Sequence, residues 1–123
     1  MILVDTSIWV DHLHSGDERL VRLLNDGKVL AHPFITGELA LGNLGNRDAV
    51  LISLQDLPQS TVATETEVLR LIDEKHLFGL GIGYIDAHLL AAVLLTPGSV
   101  LWTRDKRLTS ASTPLGIAAN TTH

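Results

Sequence analysis

Short apolar runs alternate with longer amphipathic stretches along almost the whole chain. Runs rich in Val, Ile and Leu predict short strands at 1–5, 28–33, 61–63 and 99–103, with 115–119 as a further candidate. Apolar residues at helical spacing predict helices at 7–14, 17–26, 34–44, 47–57, 64–76 and 84–95, and a short helix begins within the Asp-Lys-Arg-Leu segment 105–108. Short strands that alternate with helices indicate an α/β fold with a central, mostly parallel sheet flanked by helices.

Local signals support several of these boundaries. Thr64 and Glu67 form the capping-box pattern that begins a helix, and Gly27 is a good helix stop. The chain shows neither an internal repeat nor a linker long enough to separate two domains. We therefore predict a single domain over residues 1–123, with a frayed ending at 120–123.

The composition is that of a globular chain with a packed core. Hydrophobic residues make up 46% of it and charged residues 19%, and it has no cysteine. The lack of cysteine excludes a disulfide framework, thiolate metal ligands and cysteine catalysis, and it suits a reducing cytoplasm. No basic, apolar leader precedes the first strand, so we expect a cytoplasmic protein. Residues 77–95 are apolar enough to resemble a membrane span, but Asp86 at their centre and three glycines indicate a loop followed by a core helix instead.

Three acidic residues stand alone in apolar surroundings. Asp5 is the only charged residue among the first ten, and histidines aside, Glu38 and Asp86 are the only charged residues in stretches of 18 and 28 residues, 29–46 and 76–103. An ionised carboxylate in such a setting is costly unless it is paired or binds a cation. Each acid alone also has an ordinary interpretation as a helix cap, a core hydrogen-bonding group or an exposed residue.

A fourth acid, like Asp5, lies at the end of a predicted strand. Asp5 ends the first strand, and Asp105 follows the strand at 99–103 by two residues. Sites in parallel sheets lie beyond the carboxyl ends of the strands, where these side chains would meet. A divalent cation shared by the four acids accounts for all of them, and carboxylates without thiolates suit Mg²⁺ or Mn²⁺. Such ions activate water and stabilise the charge that develops on a phosphodiester.

The same segments resemble those of a known family. Taken in order, "LVDTSIWVDHL", "ITGELALGN", "GIGYIDAHLLAA" and "LWTRDKRL" resemble the PIN-domain ribonucleases, specifically the VapC-type toxins of type II toxin–antitoxin pairs. The resemblance covers nearly the whole chain, and the order and spacing of the pieces make it specific.

The resemblance implies a function and a set of site residues. It implies a metal-dependent endoribonuclease that hydrolyses RNA, with Mg²⁺ or Mn²⁺ as cofactor, a homodimeric assembly and a VapB-like antitoxin as partner. The family's catalytic and metal-binding acids correspond to Asp5, Glu38, Asp86 and Asp105. Its supporting hydroxyls correspond to Thr6 and Thr103.

Three basic residues surround the last of these acids. Arg104, Lys106 and Arg107 are interpreted either as a solvated helix face or as groups that bind RNA phosphates beside the metal. The net charge of −5 does not exclude RNA binding, because the four candidate acids account for four of those negative charges.

Other functions remain open or are disfavoured. A phosphotransfer enzyme or receiver domain would need an Asp-x-Asp pair or adjacent acids at the first strand, where this chain has Asp5-Thr6-Ser7. A catalytically inactive module that binds RNA or a partner on the same fold remains the alternative. We interpret the histidines, among them His88 near the predicted site, as ordinary surface or core residues.

Overall fold

The computed structural model describes residues 1–120, so only Asn120 of the predicted frayed ending falls within the described residues. Ten elements follow one another: β1 Ile2–Val4, α1 Thr6–Ser15, α2 Glu18–Asn25, β2 Val29–Leu30, α3 Pro33–Ala40, α4 Arg47–Asp56, α5 Glu65–Glu74, α6 Tyr84–Leu95, β3 Val100–Trp102 and α7 Lys106–Ser112. The predicted capping box opens α5, where Thr64 and Glu67 bond each other's backbone N–H groups.

The sheet is parallel, with strand order β2-β1-β3. Ile2 of β1 lies between Val29 of β2 and Val100 of β3. Because β1 is central, its carboxyl end lies beside the carboxyl ends of both neighbours. The predicted α/β fold with a mostly parallel central sheet is therefore confirmed, and this edge of the sheet is where the candidate site must be sought.

The prediction of a strand at 61–63 is wrong. The chain pairs with the β2 edge before residue 61, through a single parallel bridge between Ala31 and Gln59. The N–H of Ala31 donates to the carbonyl of Pro58, and the carbonyl of Ala31 accepts from the N–H of Ser60. The next residues on the β2 side enter α3, which begins at Pro33, so residues 61–63 have no strand left to join.

Further boundaries differ from the prediction, and the strand predicted at 28–33 is only Val29–Leu30. The candidate strand at 115–119 is reduced to one bridge between Ala118 and Leu101, because residues 113–116 form a turn. The helix predicted at 34–44 ends at Ala40, where the N–H of Gly42 turns back to the carbonyl of Leu39. The loop that follows α3 starts earlier as a result.

The core joins the sheet to the helices around it, and α6 contributes the largest share of its residues. Leu3, Val4 and Leu101 of the strands are buried, and so is every residue of α6 from Ala87 to Val93. The middle of this helix is enclosed by protein, as the interpretation of 84–95 as a core helix predicted, whereas both of its ends are partly exposed. Within residues 1–120, no helix is long and apolar enough to cross a membrane.

Candidate active site

Asp5 is a buried carboxylate held by hydroxyl groups at the end of β1. It occupies the N-cap position of α1, but its side chain makes no capping hydrogen bond. Instead, its Oδ2 accepts from Thr103 Oγ1 at 2.7 Å and from Ser7 Oγ at 3.2 Å. Its backbone N–H donates to the carbonyl of Trp102, which joins the ends of β1 and β3. The carboxylate is only 7% exposed, yet no cation neutralises it within the described residues.

Glu38 lies on α3 and is tied to the start of α1. Thr6 Oγ1 donates a hydrogen bond of 2.8 Å to Glu38 Oε1. Thr6 is the first residue of α1, so it directly follows Asp5. The Thr6 hydroxyl therefore fixes the exposed end of Glu38 beside the carboxyl end of β1.

Asp86 lies in the first turn of α6, where its Oδ2 accepts from the backbone N–H of Gly83 at 3.0 Å. Partial burial raises the pKa of Asp86, and the negative charges of Asp5, Asp105 and Glu38 raise it further, against the opposing hydrogen bond from Gly83. The other three predicted acids are therefore close enough to Asp86 for their charges to act on its carboxyl group.

Asp105 has a structural role in addition to its effect on the pKa of Asp86. It is the N-cap of α7, and its Oδ1 accepts from the backbone N–H groups of Arg107 and Leu108 at 2.9 and 3.1 Å. Its own N–H donates to Thr103 Oγ1, the hydroxyl that also bonds Asp5. One oxygen of Asp105 therefore serves as a helix cap.

Ser7 belongs to this network, although it was not among the predicted site residues. Its hydroxyl donates to Asp5, lies 3.5 Å from Thr103 Oγ1 and accepts from the backbone N–H of Arg104. The signal in the sequence was its place in the Asp-Thr-Ser run: Thr6 and Ser7 point in different directions from the first turn of α1. One reaches Glu38, and the other reaches the loop after β3.

The three basic residues of the sequence differ in how they are engaged. Arg104 Nε lies 2.7 Å from Asp11, and its Nη2 lies 2.9 Å from Asp17, so its guanidinium is held by two carboxylates. Although burial opposes the change, the N–H of Leu20 and the charge of Arg104 lower the pKa of Asp17. In contrast, Lys106 and Arg107 are exposed, and within residues 1–120 neither forms an ion pair.

A group of four rings, of which only the two histidines are buried, connects the helices that carry Glu38 and Asp86 and was missed by sequence reasoning. His32 and Phe34 are in edge contact at the start of α3, with ring centroids 5.0 Å apart. His88 of α6 contacts both Phe34 and Tyr84, at 4.8 and 4.7 Å. His88 is thus a core residue, as predicted, and these contacts fix the relative position of α3 and α6.

The donor chemistry of the cluster fits a hard divalent cation. All four side chains offer carboxylate oxygens, which Mg²⁺ and Mn²⁺ prefer, and their repulsion is what a cation would relieve. Within residues 1–120, no three acidic or histidine side chains converge closely enough to form a ready-made metal cage. The acids are therefore near enough to raise the pKa of Asp86, but their side chains do not converge on one point as metal ligands would.

Comparison with known proteins decides the family. The model of the PIN domain matches residues 2–113. This chain belongs to the PIN-domain family. Ribonuclease VapC32 of Mycobacterium tuberculosis, matched in two strains, is 51% identical over 118 residues, which cover 96% of this chain and 95% of the relative. The predicted resemblance to PIN-domain ribonucleases of the VapC type is confirmed. Such nucleases in general depend on divalent metals, act on RNA and pair with VapB antitoxins.

Proposed function

We propose that this PIN domain is a divalent-metal-dependent endoribonuclease that acts as the toxin of a toxin–antitoxin pair. The observation that carries the proposal is the match to the PIN domain and to a ribonuclease that is 51% identical over 96% of this chain. The raised pKa of Asp86, which has burial as its first cause and the charges of Asp5, Asp105 and Glu38 among the others, agrees with it. Carboxylates from four separate parts of the chain repel one another at the carboxyl edge of a parallel sheet. Repulsion of this kind is costly for a fold that does not use it to bind a cation.

Asp5, Glu38, Asp86 and Asp105 are the residues that would hold Mg²⁺ or Mn²⁺. When bound, the cation supplies the Lewis acidity that activates water and stabilises the charge on the phosphodiester. Thr103, Ser7 and Thr6 orient Asp5 and Glu38 through hydrogen bonds that leave their negative charges intact.

Hydrolysis also requires proton transfer and substrate positioning. A water oxygen joins phosphorus while a P–O bond breaks, so one proton leaves the water and one reaches the departing oxygen. A carboxylate of the cluster is suited to accept the first proton. Lys106 and Arg107 are suited to hold RNA phosphates, because they are exposed and make no ion pair within residues 1–120. Arg104 would contact a phosphate only by exchanging Asp11 or Asp17 for it.

The surface supports the two protein partners that we propose. Exposed apolar side chains occur on α5, α6 and the loop between them, and such side chains suit a homodimer: Leu69, Phe78, Leu80, Tyr84, Ile85, Leu94 and Leu95. On another face, Val10, Leu13 and Glu38 line an open groove of about 550 Å³. A VapB-like antitoxin seated there would cover Glu38. A small neighbouring gene that encodes a DNA-binding N-terminus would support this pairing.

The proposed activity is tested by cleavage of RNA. The purified protein should cleave RNA with Mg²⁺ or Mn²⁺ and stop in EDTA. Asp5→Asn should lose at least about 100-fold in rate, because it removes a charged ligand. Asp73→Asn, an exposed acid on α5, is the matched control and should cleave like the wild type. Cleavage that persists undiminished in EDTA would contradict the metal mechanism. RNA binding without any cleavage would favour the inactive binding module.

A further inference from the structure

The side chain of Arg107 lies against Gly81, in the glycine-rich loop 79–83 between α5 and α6. A Cβ built on Gly81 would lie 2.9 Å from both Cδ and Nη1 of Arg107 and 3.2 Å from Cζ. A Cβ at position 81 could therefore be accommodated only if the side chain of Arg107 moved away. Gly81 also has a φ of +79°, a conformation that favours glycine.

Both ends of this contact lead to candidate metal ligands. The backbone N–H of Arg107 donates to Asp105 Oδ1, which sets the start of α7 relative to that acid. Gly83 lies two residues after Gly81 in the same loop, and its N–H donates to Asp86 Oδ2. Arg107 therefore begins beside one acid of the cluster and rests on the loop that leads to another.

The guanidinium at this place is not used to neutralise the acids. Within the part of the chain that the structure describes, Arg107 forms no ion pair, whereas Arg104 forms two. A planar guanidinium that is exposed, uncompensated and restricted by a neighbouring surface is prepared to bind an anion through two oxygens, since less side-chain freedom is lost on binding. A phosphate offers the pair of oxygens that such a group binds best.

We propose that Gly81 is a positioning residue, which serves as a flat support for Arg107 and directs its guanidinium toward an RNA phosphate next to the one that is cleaved. This inference rests on the proposed ribonuclease function. The ligand class is the phosphodiester backbone of single-stranded RNA, recognised without regard to base sequence.

The test compares two glycines of the same loop. Gly79 has a φ of +75°, close to that of Gly81, but a Cβ built there would meet nothing within 4 Å. Gly79→Ala thus carries the same backbone strain as Gly81→Ala without displacing Arg107. Binding of a short single-stranded RNA is measured by fluorescence anisotropy in EDTA, where the proposed cleavage is stopped, across a salt series.

Arg107→Ala should weaken binding about tenfold and reduce the salt dependence by about one released ion. Gly81→Ala should weaken binding several-fold, Gly79→Ala should leave it within about twofold, and Gly81→Ala should add little once Arg107 is already Ala. Equal effects of the two glycine variants, or full additivity of Gly81→Ala with Arg107→Ala, would overturn the inference.

Arg107→Lys tests the same idea without changing the loop. Lys keeps the charge but lacks the flat guanidinium, so this variant should lose most of the binding that Arg107→Ala loses. If Lys binds as tightly as Arg, the support at Gly81 is irrelevant and the inference fails. Failure of the ribonuclease proposal looks different: the wild type would not cleave RNA with any metal, while binding would still depend on Arg107 and Gly81.

Discussion

His32 should make the protein less stable as the pH falls from about 6.5 to about 4. Its imidazole is fully buried at the start of α3, and its Nδ1 accepts from the backbone N–H of Phe34 at 3.0 Å. Because that nitrogen is an acceptor, Nε2 carries the proton, and it has no partner in the structure. Burial lowers the pKa of His32 to about 4, and the charge of nearby His88 adds to the effect.

The sign follows from the protons bound by each state. The unfolded chain takes up a proton on His32 near pH 6.5, whereas the native protein does so only near pH 4. Between these values the unfolded state binds more protons, so acidification favours unfolding. The gap between the two pKa values corresponds to about 3 kcal/mol in the free energy of unfolding, of which about 2 kcal/mol is lost by pH 5.

Urea unfolding of wild type and His32→Asn at several pH values between 7 and 4.5 measures this effect. Asn retains an oxygen that accepts from the Phe34 N–H but does not titrate. The variant loses packing, so it should be less stable than wild type at pH 7, and this difference should shrink by about 2 kcal/mol at pH 5. His14→Asn, which changes an exposed histidine of α1, should parallel the wild type. If the His32→Asn curve also runs parallel to wild type, His32 is not a buried neutral imidazole.

Two further predictions concern the acidic cluster and the assembly. Because the pKa of Asp86 is raised, the native state holds more protons than the unfolded state between the ordinary pKa of 3.8 and the raised one. The free energy of unfolding of the metal-free protein should therefore fall as the pH rises from 3.8 through the raised pKa. Asp86→Asn should therefore melt no lower than metal-free wild type at neutral pH while losing cleavage and most of the stabilisation by Mg²⁺; a much lower melting temperature would mark Asp86 as a structural residue. Light scattering across a dilution series should find a homodimer, and the mass of a single chain at tens of micromolar would contradict the proposed assembly.

Features that depend on neighbouring residues were predictable from the sequence. The α5 capping box needs only Thr64 and Glu67, three residues apart, and both of its hydrogen bonds are present. The isolation of Asp5, Glu38 and Asp86 was likewise visible, because each carboxylate interrupts a long apolar stretch. The repulsion that raises the pKa of Asp86 agrees with that pattern.

Features that depend on distant partners were not predictable. Arg104 was grouped with Lys106 and Arg107, but its guanidinium is held by Asp11 and Asp17, more than 80 residues earlier in the chain. His32 gave no local sign that burial would lower its pKa to about 4. The false strand at 61–63 has the same origin, since apolar character does not reveal which edge of a sheet is free to accept a strand.

The way in which the carboxylates are held bears on their purpose. A buried acid is most simply stabilised by a neighbouring cation, and Arg104 lies next to Asp105 in the chain. Its guanidinium instead turns to Asp11 and Asp17, and within residues 1–120 none of the four cluster acids forms an ion pair. Hydroxyl and backbone N–H groups hold these acids, and such donors fix geometry without cancelling charge. Within residues 1–120 the cluster acids are thus left without ion pairs, which preserves the negative charge that the proposed metal would bind.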